Sequence, residues 1–122
     1  MDNDYFIRII NDTQQIITLD DVSAIGTSAF ANCSALTTVS FPSCMFIGLS
    51  AFNYCSALTK AYFVGSSVPT LNANAFANTP MSVSTYTGTW GSIYVQSSMV
   101  AAFQAAANWS AYAARITAYV EE

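Results

Sequence analysis

Short apolar clusters alternate along the chain with connectors of Ser, Thr, Asn and Ala, and the clusters recur at a fixed spacing. Aligned on Phe30 and Phe52, 22 residues apart, Ile25 meets Ile47, Gly26 meets Gly48, Ala29 meets Ala51, Cys33 meets Cys55, Leu36 meets Leu58 and Phe41 meets Phe63. A third, degenerate copy places Leu71, Asn72, Ala75 and Phe76 24 residues after Ile47, Gly48, Ala51 and Phe52. Within a copy, Leu36, Val39 and Phe41, then Leu58, Ala61 and Phe63, have the L-x-x-L-x-L spacing of a strand with one buried edge. The segments SAFANC (28–33) and SAFNYC (50–55) predict short helical turns on the return path. Gly, Gly and Asn at 26, 48 and 72 predict a turn at positive φ, which Asn tolerates better than most other non-glycine residues.

A repeat of 20–29 residues is the mark of a leucine-rich solenoid, in which no coil buries its apolar edge alone and each is a wall for the next. Stacked strands lie ~4.8 Å apart, so equivalent residues should form ladders. Phe30–Phe52–Phe76 and Ile25–Ile47–Leu71 are the expected central ones. The fold expected is α/β, a short leucine-rich repeat solenoid of about three coils in a single domain over 1–122. Residues 1–24 are read as a β N-terminal cap, 25–80 as the leucine-rich coils and 81–122 as a loop and helical C-terminal cap. At the N-terminus, YFIRII (5–10) and QIITL (15–19) read as a hairpin or as capping strands. At the C-terminus, Ser97 or Ser98 can start a helix, and Val100, Phe103 and Ala107 recur at helical spacing. Asn108 then breaks the helix, Trp109 plugs the apolar end, Tyr112 and Ile116 continue the stripe, and ITAYV (116–120) reads as a short strand. Both ends need covering, because an open strand edge invites pairing with another chain.

Composition narrows the function. The chain is 53% hydrophobic and 8% charged, against roughly a quarter charged in an ordinary soluble domain. No apolar run approaches the ~18–20 residues of a membrane span. MDNDYFIRII begins acidic, with no basic region before an apolar stretch, and does not read as a secretory signal. The acids lie at the ends (Asp2, Asp4, Asp12, Asp20, Asp21, Glu121, Glu122), and between them the only charges are Lys60 and Arg115. A net charge of −4 with three basic residues leaves no electrostatic footprint for nucleic acid. The weakly charged surface repels its neighbours little and suits close packing of subunits. Without histidine, the usual neutral-pH proton shuttle and the commonest zinc ligand are missing. No CxxC spacing or glycine-rich phosphate loop occurs, so neither an enzyme, a metal site nor a cofactor is expected.

Three features invite sharper readings that the residues do not favour. Cys33 and Cys55 would stack on adjacent coils within reach of a disulfide, but Cys44 leaves an odd count, and buried free thiols are expected. The triplets Asn11-Asp12-Thr13, Asn32-Cys33-Ser34 and Asn108-Trp109-Ser110 match the glycosylation acceptor pattern and are read as chance. MVAAFQAAANW (99–109) has no basic residue with which to meet lipid headgroups, and is read as a capping helix rather than a membrane-surface one.

The outward positions of the strands form the candidate contact surface: Thr38 and Ser40 on the first, then Thr59, Lys60 and Tyr62 on the second. Tyrosine is a frequent interface anchor. The loop SVSTYTGTWGS (82–92) adds Tyr86 and Trp90 in a composition shared with binding loops. The alternatives, an inert solvated face and a Trp90 packed against the cap, stand beside these readings.

Residues 25–36 and 47–58 match at every specified position the I-G-x-x-A-F-x-x-C-x-x-L core of the BspA-type leucine-rich repeats, which the chain therefore resembles. In the second copy Phe63-Val64-Gly65 replaces Phe41-Pro42-Ser43, so a different exit from that strand is expected. ANAFANTP (73–80) and IYVQSSMVAAFQAAANWSAYAARI (93–116) are similar to the closing segment of such repeats in phage and prophage virion proteins and in gut-bacterial surface proteins. Gln96 stands where Pro is usual and Phe103 where Tyr is usual. The resemblance implies a non-enzymatic phage virion surface protein, released by lysis. Capsid head decoration, with adhesion to the host surface, is the expected role. Its partners would be other virion proteins, capsid or tail, and a host-surface glycan or protein. It is expected to form a homo-oligomer, with no nucleic acid partner and no membrane insertion. A tail-fibre or receptor-binding tip is the alternative within that class, disfavoured by the lack of a long stalk. A bacterial surface leucine-rich adhesin fragment is the alternative outside it.

Overall fold

A computed structural model describes residues 16–82 and 91–120. Two parallel sheets run through them. The larger contains β1 (Ile16–Thr18), β3 (Thr38–Ser40), β5 (Lys60–Phe63), β7 (Ser92–Val95) and β8 (Ile116–Ala118), in that spatial order. The smaller contains β2 (Ala24–Ile25), β4 (Phe46–Ile47) and β6 (Thr70–Leu71), also in order. Each repeat thus gives one strand to each sheet. The register is that of the sequence repeat: Ile17 pairs Val39, Val39 pairs Ala61, and Ile25 pairs Ile47. β1 is a strand of this series, paired in parallel one period before β3. Its expected partner strand at 5–10 lies outside the described residues.

A single buried cluster joins the two sheets. Phe30, Phe52 and Phe76 stack with centroids 5.2 and 5.1 Å apart and planes within 3°. Leu36, Val39, Phe41 and their counterparts Leu58, Ala61 and Phe63 are all buried, as the strand spacing requires. Ring spacing close to the ~4.8 Å strand separation shows that the ladder is built at the pitch of the backbone.

The return segments over 28–33 and 50–55, expected as short helical turns, are successive single turns that do not run on into a helix. Ser28, Phe30 and Asn32 donate their N–H groups to the next copy, at Leu49, Ala51 and Asn53 (2.9, 2.8 and 2.8 Å), while Ala29, Ala31 and Cys33 donate within their own copy. A helix would direct every N–H along its own axis and leave the next copy unbonded. The alternation needs a left-handed residue at every fourth position: Ser28 and Asn32, Ser50 and Tyr54, Asn74 and Asn78 have φ between 56° and 65°. The positive φ predicted at 26, 48 and 72 is therefore displaced to these residues. Gly48 serves a different purpose. A Cβ there would come within 2.6–2.9 Å of the backbone of Ile25, Gly26 and Thr27, so glycine lets successive copies of the repeat approach. Asn72 takes the third place in that column and bonds Ile47 O through both its N–H and its Nδ2. At the altered exit of the second copy, a Cβ on Gly65 would collide with the Pro42 carbonyl, again a close approach between copies.

The C-terminal segment lies over the last turn. A 3-10 turn (Ser97–Met99) leads into α1 (Val100–Ala105), followed by a second 3-10 stretch (Ser110–Arg115) and β8. Neither Ser97 nor Ser98 caps the helix. Gln96 precedes it and donates Nε2 to the carbonyls of Val64 and Gly65. α1 ends before Asn108, and Ala107 is exposed rather than part of the apolar stripe. Asn108, at φ 66°, donates Nδ2 to Leu71 O at 2.7 Å, and the buried Trp109 donates Nε1 to Pro69 O at 2.7 Å. Two side chains thereby bond carbonyls at β6 that a further copy would otherwise meet. The Trp109 ring sits edge-on to Phe63 and Phe103.

Cys33, Cys44 and Cys55 are free and buried. Cys55 Sγ donates to Phe30 O at 2.9 Å and Cys44 Sγ to Phe46 O at 3.4 Å. Burial pushes the Cys55 thiol from an ordinary 9.0 to about 12, and Cys44 to about 11. The folded state thus holds these protons more tightly than the unfolded state. Their contribution to stability is complete below pH 9 and is lost as pH rises through 9 towards 11–12.

Three outcomes follow from this packing. Phe52→Ala should cost about 3–5 kcal/mol in urea unfolding, the usual range for emptying a fully buried aromatic site. Asn108→Gly, which keeps the backbone conformation but loses the bond to Leu71, should cost less than Asn108→Ala, which strains both. Raising the pH above 9 should lower the urea midpoint, and Cys55→Ala, though less stable at neutral pH, should lose less over the same rise.

Candidate binding surface

Strand alternation turns every second side chain of the five-stranded sheet away from the core. The outward rows are Ile16, Thr38, Lys60 and Ser92, and Thr18, Ser40, Tyr62, Tyr94 and Thr117, with Ile16 an exposed apolar side chain at the edge of the first. The inward row between them, Ile17, Val39, Ala61 and Ile93, is buried, which fixes the orientation of both outer rows. In the second outer row the side chains change abruptly from Thr and Ser to two tyrosines. Tyr62 and Tyr94 stack with centroids 4.8 Å apart and planes 16° from parallel. Tyr119, just beyond β8, sets its ring edge-on to Tyr62 at 5.8 Å and is held there by its N–H bond to Val95 O. Where the row steps from Tyr62 down to Ser40, a depression of about 300 Å³ opens, lined by Thr18, Thr38, Ser40, Tyr62, Val64 and Tyr119.

Of the residues singled out in the sequence, Thr38, Ser40, Lys60 and Tyr62 lie together on this face. Lys60 is exposed, and the other three are half-buried. Thr59 precedes β5 and has the parity of the buried Ala61 and Phe63, so it does not share their outward row. Its backbone bonds instead link Thr37 O and the Ser92 N–H. Tyr86 and Trp90 lie outside the described residues. Thr18, Tyr94 and Tyr119 join the site without having been foreseen. Tyr94 follows Tyr62 by 32 residues rather than 22, so the repeat alignment did not carry to it, and Tyr119 arrives from the closing segment. The strands of this sheet hold one charged side chain, Lys60. No cluster of metal-ligating side chains occurs among the described residues.

A second surface has another character. Met45, Phe46 and Leu49, around β4 in the smaller sheet, are exposed. Phe46 is the outward neighbour of the buried Ile47. No helix among the described residues is long and apolar enough to cross a membrane.

In comparisons with known proteins, no curated protein and no solved structure matched the chain. The family model of the BspA type leucine rich repeat region matches residues 3–99 with six copies, a span that takes in β1 to β7. The chain therefore belongs to the BspA type leucine-rich repeat family, whose repeats generally serve as surface-associated, non-enzymatic modules of protein interaction.

Proposed function

We propose that this protein acts by binding, as a surface protein of a phage virion, and that its role there is decoration of the head. The fold is read as a short solenoid of about three coils in one domain, with a β cap at the N-terminus and a helical cap at the C-terminus. The observation that carries the binding role is the outer face of the five-stranded sheet, where three tyrosines and a run of hydroxyls surround an open depression. Rigid aromatic side chains beside small polar ones offer contact area at low entropic cost. The virion assignment is supported by the similarity of 73–80 and 93–116 to the closing segment found in phage and prophage virion proteins, which gut-bacterial surface proteins share, and by the weakly charged surface. In this reading the protein is a homo-oligomer held among capsid or tail proteins. The tyrosine face is turned to a host-surface glycan or protein, and the apolar Met45, Phe46 and Leu49 are turned towards the particle. Exposed apolar patches of this kind mark contact sites.

A second reading, a bacterial surface leucine-rich adhesin, is favoured by the family match itself, since such repeats are adhesion-type surface modules. Immunogold electron microscopy of particles from a producing culture separates these. Label over the heads is the expected result. Label confined to the tail tip would replace decoration with receptor binding, and label on cells but on no particle would overturn the virion assignment.

A further inference from the structure

We infer that the depression between Ser40 and Tyr62 is a subsite for one carboxylated pyranose, a uronic or sialic acid unit of a surface polysaccharide. The inference rests on the reading of the outer sheet face as a contact surface and names what it contacts.

Strand order and ring geometry shape the subsite. Tyr62 stands between Tyr94 on β7 and Ser40 on β3. One face of its ring is covered by Tyr94. The other is turned to β3, where Ser40 contributes only a hydroxymethyl group, and this side of the ring lines the depression with Tyr119 as its rim. A flat aromatic wall over a shallow floor fits a saturated six-membered ring, whose axial C–H groups are apolar and weakly positive and meet the negative face of the aromatic system. The floor hydroxyls of Thr18, Thr38 and Ser40 each donate and accept, which matches the donor and acceptor pattern of sugar hydroxyls. An aliphatic or aromatic peptide anchor would leave them unpaired. At about 300 Å³ the space stands at the small end of ligand pockets, enough for one ring.

Charge selects among sugars. Lys60 is the cross-strand neighbour of Thr38 and lies two residues from Tyr62 on the same face, about 7 Å along the strand. It is exposed. The nearest described carboxylates along these strands, Asp20 and Asp21, follow the opposite end of β1. Asp20 stands two residues beyond Thr18, which lines the far side of the depression, and four residues along from Ile16, the row-mate of Lys60, so the depression has a positive group at its Lys60 end and carboxylates at the other. A ring on Tyr62 would therefore point its carboxylate towards Lys60 and Thr38, away from those acids.

The test uses the full purified chain on immobilised sialylated, glucuronate and mannuronate oligosaccharides, with neutral lactose and cellulose oligosaccharides alongside. The expected result is retention on at least one acidic series, roughly tenfold tighter than on neutral sugars and weakened by salt. Lys60→Gln should remove that preference, and Tyr62→Ala should abolish binding. Ser40→Tyr would continue the tyrosine stack and fill the depression. It should abolish binding while leaving the urea midpoint unchanged, which separates occupation of the site from misfolding. Equal retention on neutral and acidic sugars, retention by Ser40→Tyr, or no retention by the unaltered chain would each overturn the inference. Particle labelling decides the virion reading separately, so a labelled virion protein that binds no acidic sugar would sink the glycan subsite alone.

Discussion

The backbone hydrogen bonds between successive return turns are the constraint from which the rest of the architecture follows. Because the N–H groups of Ser28, Phe30 and Asn32 bond the carbonyls of Leu49, Ala51 and Asn53 respectively, one copy is held to the next at strand pitch through its turns as well as its strands. At that pitch a side chain has its own counterpart above and below it. A core position then has to be filled by something that stacks on itself, which is why phenylalanines pile up with nearly parallel planes. The same closeness leaves no room for a Cβ at Gly48. It also forces the left-handed residues of each turn into a fixed rhythm.

The outer face escapes this rule. Its side chains extend into solvent and are not required to fill a shared volume, so the row can pass from threonine and serine to tyrosine in a single step. Inside, such a change would leave a cavity with a cost in stability. Outside, it leaves a sheltered hollow against a ring that Tyr94 already holds in place. The chemistry of the face thus arises where the repeat is broken in side-chain size while it is kept in backbone register.

What was legible in the sequence was whatever the repeat itself encodes. The ladders through Phe52 and Ile47, the inward strand positions and the burial of Trp109 follow from apolar spacing. Turns were expected on the return path, but the bonding of their alternate N–H groups to another copy leaves no mark in composition. Positive φ was assigned to glycine on its conformational freedom, yet Ser28, Asn32 and even Tyr54 accept it because bonds on both sides hold them there. Ser97 looked like a cap, but the turn before α1 is tied instead by the side chain of Gln96. Two of the three tyrosines stayed hidden, since Tyr119 belongs to no repeat, and the longer spacing before β7 means that only the sheet register brings Tyr94 beside Tyr62.

Asn108 and Trp109, bonded to the carbonyls of Leu71 and Pro69, also bear on how a protein of this kind changes length. An interior copy has the same donors and acceptors on both sides, so a duplicated unit within the stack would meet ready-made partners wherever it landed. At the closing end the carbonyls are already occupied by side chains that belong to no repeat. Growth by duplication is therefore open in the middle and shut at that end, and the closing segment would travel outward unchanged as copies accumulate behind it.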